Sequence, residues 1–290
     1  MTNATATTPG TRLRDPGTIV AGQAASDGAG VRLLRSLGTG ALPLVDPFLM
    51  LDEFRSDDAS DYIAGFPDHP HRGFETVTVM LAGRMQHRDS VGNRGDLGPG
   101  SVQWMTAGRG IIHSEMPQQH DGLMWGFQLW VNLPAAHKLT APRYQDIDAS
   151  EIPSATTDAG ASVRVIAGTV DGTRGPIEAV TEPVLLDIRL GDGGSFEHAL
   201  PPGHNAFVYV YEGSVEIVGA SKAASVERGK LVVLGAGDAV KLRANTAAKA
   251  LLVAGRPIGE PVARYGPFVM NTQAELEQAF RDYRSGALGR

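Results

Sequence analysis

Two short segments hold the residue types that could do chemistry. The first, Pro67-Asp-His69-Pro-His71-Arg-Gly-Phe-Glu75, runs directly into the apolar stretch from Thr76 to Leu81. Alternation along an extended chain puts positions 69, 71, 73, 75, 77, 79 and 81 on one face. That face reads His, His, Gly, Glu, Val, Val, Leu, polar at one end and apolar at the other. A strand lining a small barrel has this pattern when its deep end packs the core and its mouth presents two imidazoles to one point. The second segment, Gly108-Arg-Gly110-Ile-Ile-His113-Ser-Glu115-Met-Pro, again sets His and Glu two apart after a glycine turn. An isolated His-x-His is more often a pair of exposed loop histidines, but two same-face pairs supply three imidazoles and a carboxylate. Neutral imidazole suits Zn, Cu, Fe and Ni, and a mixed set of four ligands leaves coordination positions open, which implies a reactive site. Glu75 shares the parity of His69 and His71, so parity does not choose between Glu75 and Glu115 as the carboxylate. His87, His120, His137, His198 and His204 have no same-face partner of this kind and read as surface or hydrogen-bonded structural residues.

The elements that must position these residues are short strands. With 36 glycines and 18 prolines in 290 residues, the chain is heavily punctuated, which favours many tight turns and an all-β class. Trp125, Phe127, Leu129, Val131 and Leu133 share one parity and predict a half-buried strand. Strand-like runs return after residue 161 in SVRVIAG, PVLLDIRL, AFVYVYEGSVEIVG, KLVVLGAGDAV and KALLVAG. Setting Val77-Thr-Val-Met-Leu-Ala-Gly83 against Phe207-Val-Tyr-Val-Tyr-Glu-Gly213 suggests an internal duplication, with Gly100 and Gly229 as the next turn glycines. The second copy has no histidine after His204, and Ala199 and Pro201 stand where the first has His69 and His71, so it does not repeat the site. Near the end the period changes. Leu276, Ala279, Phe280 and Tyr283 follow helical spacing after the capping-box pair Thr272 and Glu275, predicting a helix from Thr272 to Ser285.

These signals divide the chain into a flexible arm over 1–18, a site-bearing barrel over 19–142, a linker over 143–160, a second barrel over 161–258, and a C-terminal segment and helix over 259–290 that packs back on the barrels. Composition narrows the function. A net charge of −6 with no cluster of five or more Lys or Arg gives nothing to neutralise a phosphate backbone, so direct nucleic-acid binding is not expected. The absence of cysteine excludes disulfides, thiolate nucleophiles and Cys-ligated metal clusters. Without an apolar leader or a run approaching the ~18 apolar residues of a membrane span, the expected location is the cytoplasm.

Together, the segments HPHRGFETVTV, HRDSVGNRGDLGPGSVQWMTAGRGIIHSEMP and RYGPFVMNT resemble the signatures of the pirin family of bicupins, within the cupin superfamily, and the similarity runs from about residue 20 to the C-terminus. The resemblance implies an all-β fold of two tandem jelly-roll barrels with a short C-terminal helix, a mononuclear metal in the first barrel and none in the second. Carried over position by position, the family's ligands fall on His69, His71, His113 and Glu115, leaving Glu75 a supporting role. The implied metal is Fe(II), with Mn, Ni, Co, Cu or Zn as alternatives. Bacterial relatives resemble quercetin 2,3-dioxygenases, so the expected partners are a small aromatic substrate and O2, with Glu115 accepting the substrate's hydroxyl proton. Animal relatives resemble iron-dependent regulators that act through protein partners, which is the alternative function. Phe54, Phe66, Trp104 and Met105 are the candidate pocket walls.

Overall fold

A computed structural model describes residues 10–290, and its secondary structure is short strands with one α-helix. The described residues form two compact units, one of residues 23–149 with 258–290 and one of residues 10–22 with 150–257. Each carries a seven-stranded and a four-stranded antiparallel sheet in the same order. In the first unit, the large sheet runs Arg143–Ile147, Val102–Thr106, Phe74–Ala82, Met124–Asn132, Phe48–Ser56, Val31–Leu37 and Gln23–Asp27. Its small sheet runs Phe66–His71, Ile111–Pro117, Met85–Asp89 and Arg94–Leu97. In the second unit, Asn205–Glu212 takes the place of Phe74–Ala82 and Ala239–Arg243 the place of Ile111–Pro117. The duplication expected from the strand repeat is therefore a repeat of topology.

Three expectations change. The arm predicted over 1–18 is not wholly an arm: Pro16–Ala21 pairs with Lys230–Leu234 and covers what would be an open sheet edge in the second unit. Residues 1–9 lie outside the described residues. The predicted linker over 143–160 holds two edge strands, Arg143–Ile147 on the first unit and Ser154–Thr156 on the second. Both are short and polar, so neither left an apolar alternation in the sequence. The strand Met124–Asn132 is buried along almost its whole length on both faces, rather than half-buried.

The C-terminal segment belongs to the unit that carries the histidines. Its helix, Gln273–Arg284, starts on the predicted capping box, with Thr272 Oγ1 accepting from the Glu275 amide and Glu275 Oε2 accepting from the Thr272 amide at 2.9 Å. Ahead of it, Phe268–Met270 is buried and straps the turn after His71, with the Val269 amide donating to the Arg72 carbonyl at 3.0 Å. Gly73 makes that approach possible. Its φ is +88°, and a Cβ there would lie 1.9 Å from the Val269 carbonyl oxygen. Lys138, buried, locks the strap by donating to the carbonyls of Gly73 at 2.8 Å and Val269 at 3.0 Å and to Asn132 Oδ1 at 2.7 Å. Burial lowers its pKa to about 8. Arg72 adds a second tie, donating to the Arg109 carbonyl at 2.6 Å and pairing with Asp282 at 2.7 Å. A chain ending at residue 258 is therefore expected to lose cooperative thermal unfolding of the histidine-bearing unit. Retention of a sharp, wild-type-like melt by that chain would contradict the strap.

In the second unit, the strands equivalent to those carrying the histidines contribute Phe196, Val240 and Leu242 to a continuous apolar core with Val208, Leu186 and Leu252. The space taken by a polar cluster in one unit is filled with hydrocarbon in the other. No helix among the described residues is long and apolar enough to cross a membrane.

Candidate metal centre

The small sheet of the first unit assembles the site. His113 lies opposite His69 in register, and His71 lies opposite Ile111, so the two segments 40-odd residues apart in sequence become neighbouring strands. The three rings converge, with centroids 4.6 Å apart for His69 and His71, 4.4 Å for His69 and His113, and 5.0 Å for His71 and His113. One ring nitrogen from each lies within 4.8 Å of the others, a spacing that could hold a metal ion. His69 Nε2 and His71 Nε2 are 3.0 Å apart, and His69 Nδ1 is anchored on the Pro67 carbonyl at 2.8 Å. His113 is fully buried, and neither of its ring nitrogens has a hydrogen-bond partner. Buried polar atoms are almost always paired, so an unpartnered imidazole aimed at two others fits a ligand set that a cation would satisfy.

Electrostatics keeps the cluster in the form that binds metal. Burial, followed by repulsion from neighbouring imidazoles, pushes His71 and His113 well below the usual histidine value of 6.5. Both are neutral, and hence available as ligands, at any pH near neutrality. For the metal-free protein the sign follows. The unfolded chain takes up protons on these two histidines below pH 6.5 while the folded chain does not, so their burial costs stability as pH falls through and below that value. Metal affinity is expected to stay nearly flat from pH 8 through about 6.5 and to fall only where pH drops below the depressed values of His71 and His113, at which protons begin to compete for these imidazoles. A titration showing unchanged affinity at pH values where the metal-free folded protein has taken up protons on His71 and His113 would exclude a three-imidazole site.

The two candidate carboxylates separate. The strand expected to run unbroken from His69 to Leu81 is interrupted at Arg72 and Gly73, and the chain passes from the small sheet into the large one. Glu75 therefore does not share a face with His69 and His71. It is buried in the large sheet, where Oε1 accepts from Thr106 Oγ1 at 2.6 Å and burial raises its pKa. Glu115 lies on the cavity lined by His69 and His71. It is buried, opposite Phe66 and His87 in register, and Oε1 accepts from Thr78 Oγ1 at 3.0 Å. Burial raises its pKa, opposed by the charge of His69 and by the Thr78 hydrogen bond. Thr78 Oγ1 also lies 2.8 Å from the Gln128 side-chain amide. A hydroxyl has one proton to give, so with Glu115 ionised the Gln128 amide turns its nitrogen to Thr78.

Of the other histidines, His120 and His137 are exposed. His204 bonds the Glu182 carbonyl at 2.9 Å, and His198 stacks on Phe196. His87 is buried rather than superficial, 3.2 Å from Asp146 and 4.8 Å from the Tyr144 ring.

Above the histidines is a cavity of about 620 Å³. Of the four predicted walls, only Phe66 lines it. Phe54 packs with Val31, Leu33 and Met80, Met105 packs with Ala107 and Ile111, and Trp104 is fully buried. The walls that sequence reasoning missed include Met50, Gln128, Trp130 and Arg264. Gln128 and Trp130 are the off-parity residues of the strand Met124–Asn132, and a glutamine and an aromatic on its supposedly solvent-facing side were the available signal.

Comparison with known proteins accords with this geometry. Residues 30–131 match the pirin family, and residues 185–289 match the pirin C-terminal cupin domain. The chain belongs to the pirin family. A Pseudomonas aeruginosa protein provisionally named quercetin 2,3-dioxygenase is 51% identical over 96% of this chain and 99% of its own length. A pirin-like protein of Caulobacter vibrioides is 53% identical over 92% and 96%. Among solved structures, a quercetin 2,3-dioxygenase from Acinetobacter baumannii superposes with a TM-score of 0.87 at 34% identity, covering 96% of this chain and 99% of that one. The pirin bicupin architecture, read from three motifs, is thus shared by sequence relatives and by a solved fold.

Proposed function

We propose that the protein is a metal-dependent dioxygenase that opens flavonols such as quercetin with O2. His69, His71, His113 and Glu115 are the residues assigned to hold a single divalent ion, with Fe(II) the assigned metal ahead of Mn, Ni, Co, Cu and Zn. The observation that carries the reading is the convergence of three imidazoles, two buried and held neutral, at a half-open cavity with aromatic walls. A bound divalent ion supplies Lewis acidity there, lowering the pKa of an enolic hydroxyl set against it. The chain's own residues do the rest. Trp130 and Phe66 line the cavity with apolar surface for an aromatic ring system, and burial shields His71 and His113 from bulk water. Glu115, raised in basicity by burial and held by Thr78, accepts the proton of the flavonol 3-hydroxyl at its carboxylate. The resulting electron-rich flavonolate is the species that meets O2.

The experiment is turnover. Anaerobically purified, Fe(II)-loaded protein mixed with quercetin in air is expected to consume O2, bleach the flavonol absorbance and release carbon monoxide. Fully metallated protein that leaves quercetin and related flavonols untouched would instead favour a non-catalytic iron-binding regulator acting through a protein partner.

A further inference from the structure

The cavity above the histidines carries a second polar end, and one of its charges is uncommitted. Two guanidinium groups line it, Arg35 and Arg264. Arg35 is paired with two carboxylates. It donates to Asp52 through Nε at 2.8 Å and Nη2 at 2.7 Å, and Nη2 also reaches Asp27 at 3.2 Å. Asp27 and Asp52 are thereby both used. Arg264 has no carboxylate at ion-pair distance among the described residues. Its single hydrogen bond to oxygen runs from Nη1 to the Leu49 carbonyl at 3.0 Å, and Nη2 has only the weak acceptor Met50 Sδ at 3.8 Å. A guanidinium has five N–H donors, so most of this fork is unspent. The group is half-buried, and its Cζ sits 4.8 Å from the centroid of Trp130. The same indole ring is 5.3 Å from the His71 ring. One aromatic plane therefore lies between the metal-ligating cluster and an unpaired cation, in a single cavity.

We infer that this cavity selects aromatic substrates bearing a carboxylate at the end remote from the enolic oxygen, with Arg264 as the residue that reads the carboxylate. The inference rests on the reading of this cavity as the substrate site. A planar carboxylate matches the guanidinium fork, and it would give Arg264 the contact partner that Asp27 and Asp52, turned to Arg35, do not supply. Four carboxylates line the cavity, and none is at ion-pair distance from Arg264: Asp27 and Asp52 bond Arg35 and attract Arg264 only from farther off, Glu115 is held by Thr78 at the histidine end, and Asp68 precedes His69.

The test uses a matched pair of probes, 3-hydroxyflavone-4′-carboxylate and 3-hydroxyflavone-4′-carboxamide. Both are titrated calorimetrically under anaerobic conditions into metal-loaded wild-type, Arg264→Gln and Arg264→Lys proteins. Wild-type protein is expected to bind the carboxylate about tenfold or more tightly than the amide, as befits a charge-assisted contact. The preference is expected to vanish in Arg264→Gln and to survive in part in Arg264→Lys, which keeps the charge but not the fork. Thermal melts of each variant show whether the cavity is intact. Equal affinities in the wild type, binding of neither probe, or a preference retained in a normally folded Arg264→Gln would each overturn the inference. The parent reading fails differently. Absence of O2 uptake with the carboxylate preference intact removes the dioxygenase and leaves the anion site, whereas O2 uptake with equal affinities removes the anion site alone.

Discussion

Replacing His113 by alanine is expected to strip the protein of metal while leaving it folded. The imidazole is fully buried, and neither nitrogen has a protein partner. Its removal takes away one of three converging ligands together with two polar atoms that folding had desolvated without compensation. The lost packing and the relieved desolvation act in opposite directions, so the metal-free variant should differ from metal-free wild type by no more than about 2 kcal/mol. The metal-loaded comparison is different. A ligand present at a thousand times its Kd stabilises the folded state by about 4 kcal/mol, and the variant should lose that increment entirely. The signature is a wild-type melt that shifts on chelation and a variant melt that does not, with metal content by elemental analysis falling roughly tenfold or more. His69→Ala should behave alike, although His69 is less buried and is tied to the Pro67 carbonyl. Unchanged metal content in both variants would remove the assignment of this cluster as the metal centre.

Much of this site was legible in the sequence because its chemistry is local. His-x-His and His-x-Glu each lie within three residues, and strand alternation alone brings each pair to one face. What alternation does not show is where a strand stops. Glu75 has the parity of His69 and His71, and only the break at Gly73 sends it into another sheet. That break depends on Val269, nearly two hundred residues away, approaching so closely that a side chain at position 73 has no room. The same long-range strap explains the burial of Lys138, whose partners Gly73 and Val269 are distant in sequence. The edge strands Pro16–Ala21 and Arg143–Ile147 were hidden for another reason. An edge strand gains its stability from backbone pairing with a neighbour and needs no apolar stripe of its own. The cavity walls were the least legible part. Large apolar residues such as Trp104 and Met105 look identical in sequence whether they face a core or a ligand, and the wall that matters most for charge, Arg264, arrives from the far end of the chain.

Substituting Glu115 by glutamine should slow flavonol turnover by 10²- to 10⁴-fold, the usual worth of a positioned general base. Glutamine keeps the size of the side chain and an oxygen that can accept from Thr78, so the hydrogen bond seen at 3.0 Å has a counterpart in the variant. What it removes is the group able to take the 3-hydroxyl proton. Metal retained with turnover lost would assign Glu115 chiefly to proton transfer, and metal lost with turnover would assign it chiefly to coordination. The pH profile separates these roles again. Burial raises the Glu115 carboxyl in the metal-free protein and a bound cation would oppose that rise, so the wild-type rate should fall with pH where Glu115 of the loaded protein takes up its proton, because the base is then protonated. In the glutamine variant this part of the acid limb should disappear, while the loss from proton competition at His71 and His113 remains. A variant that turns over quercetin at the wild-type rate with the wild-type pH profile would exclude Glu115 as the base, and the proton would then have to leave the substrate before it enters a site whose other nearby groups, His71 and His113, are the ones assigned to the metal.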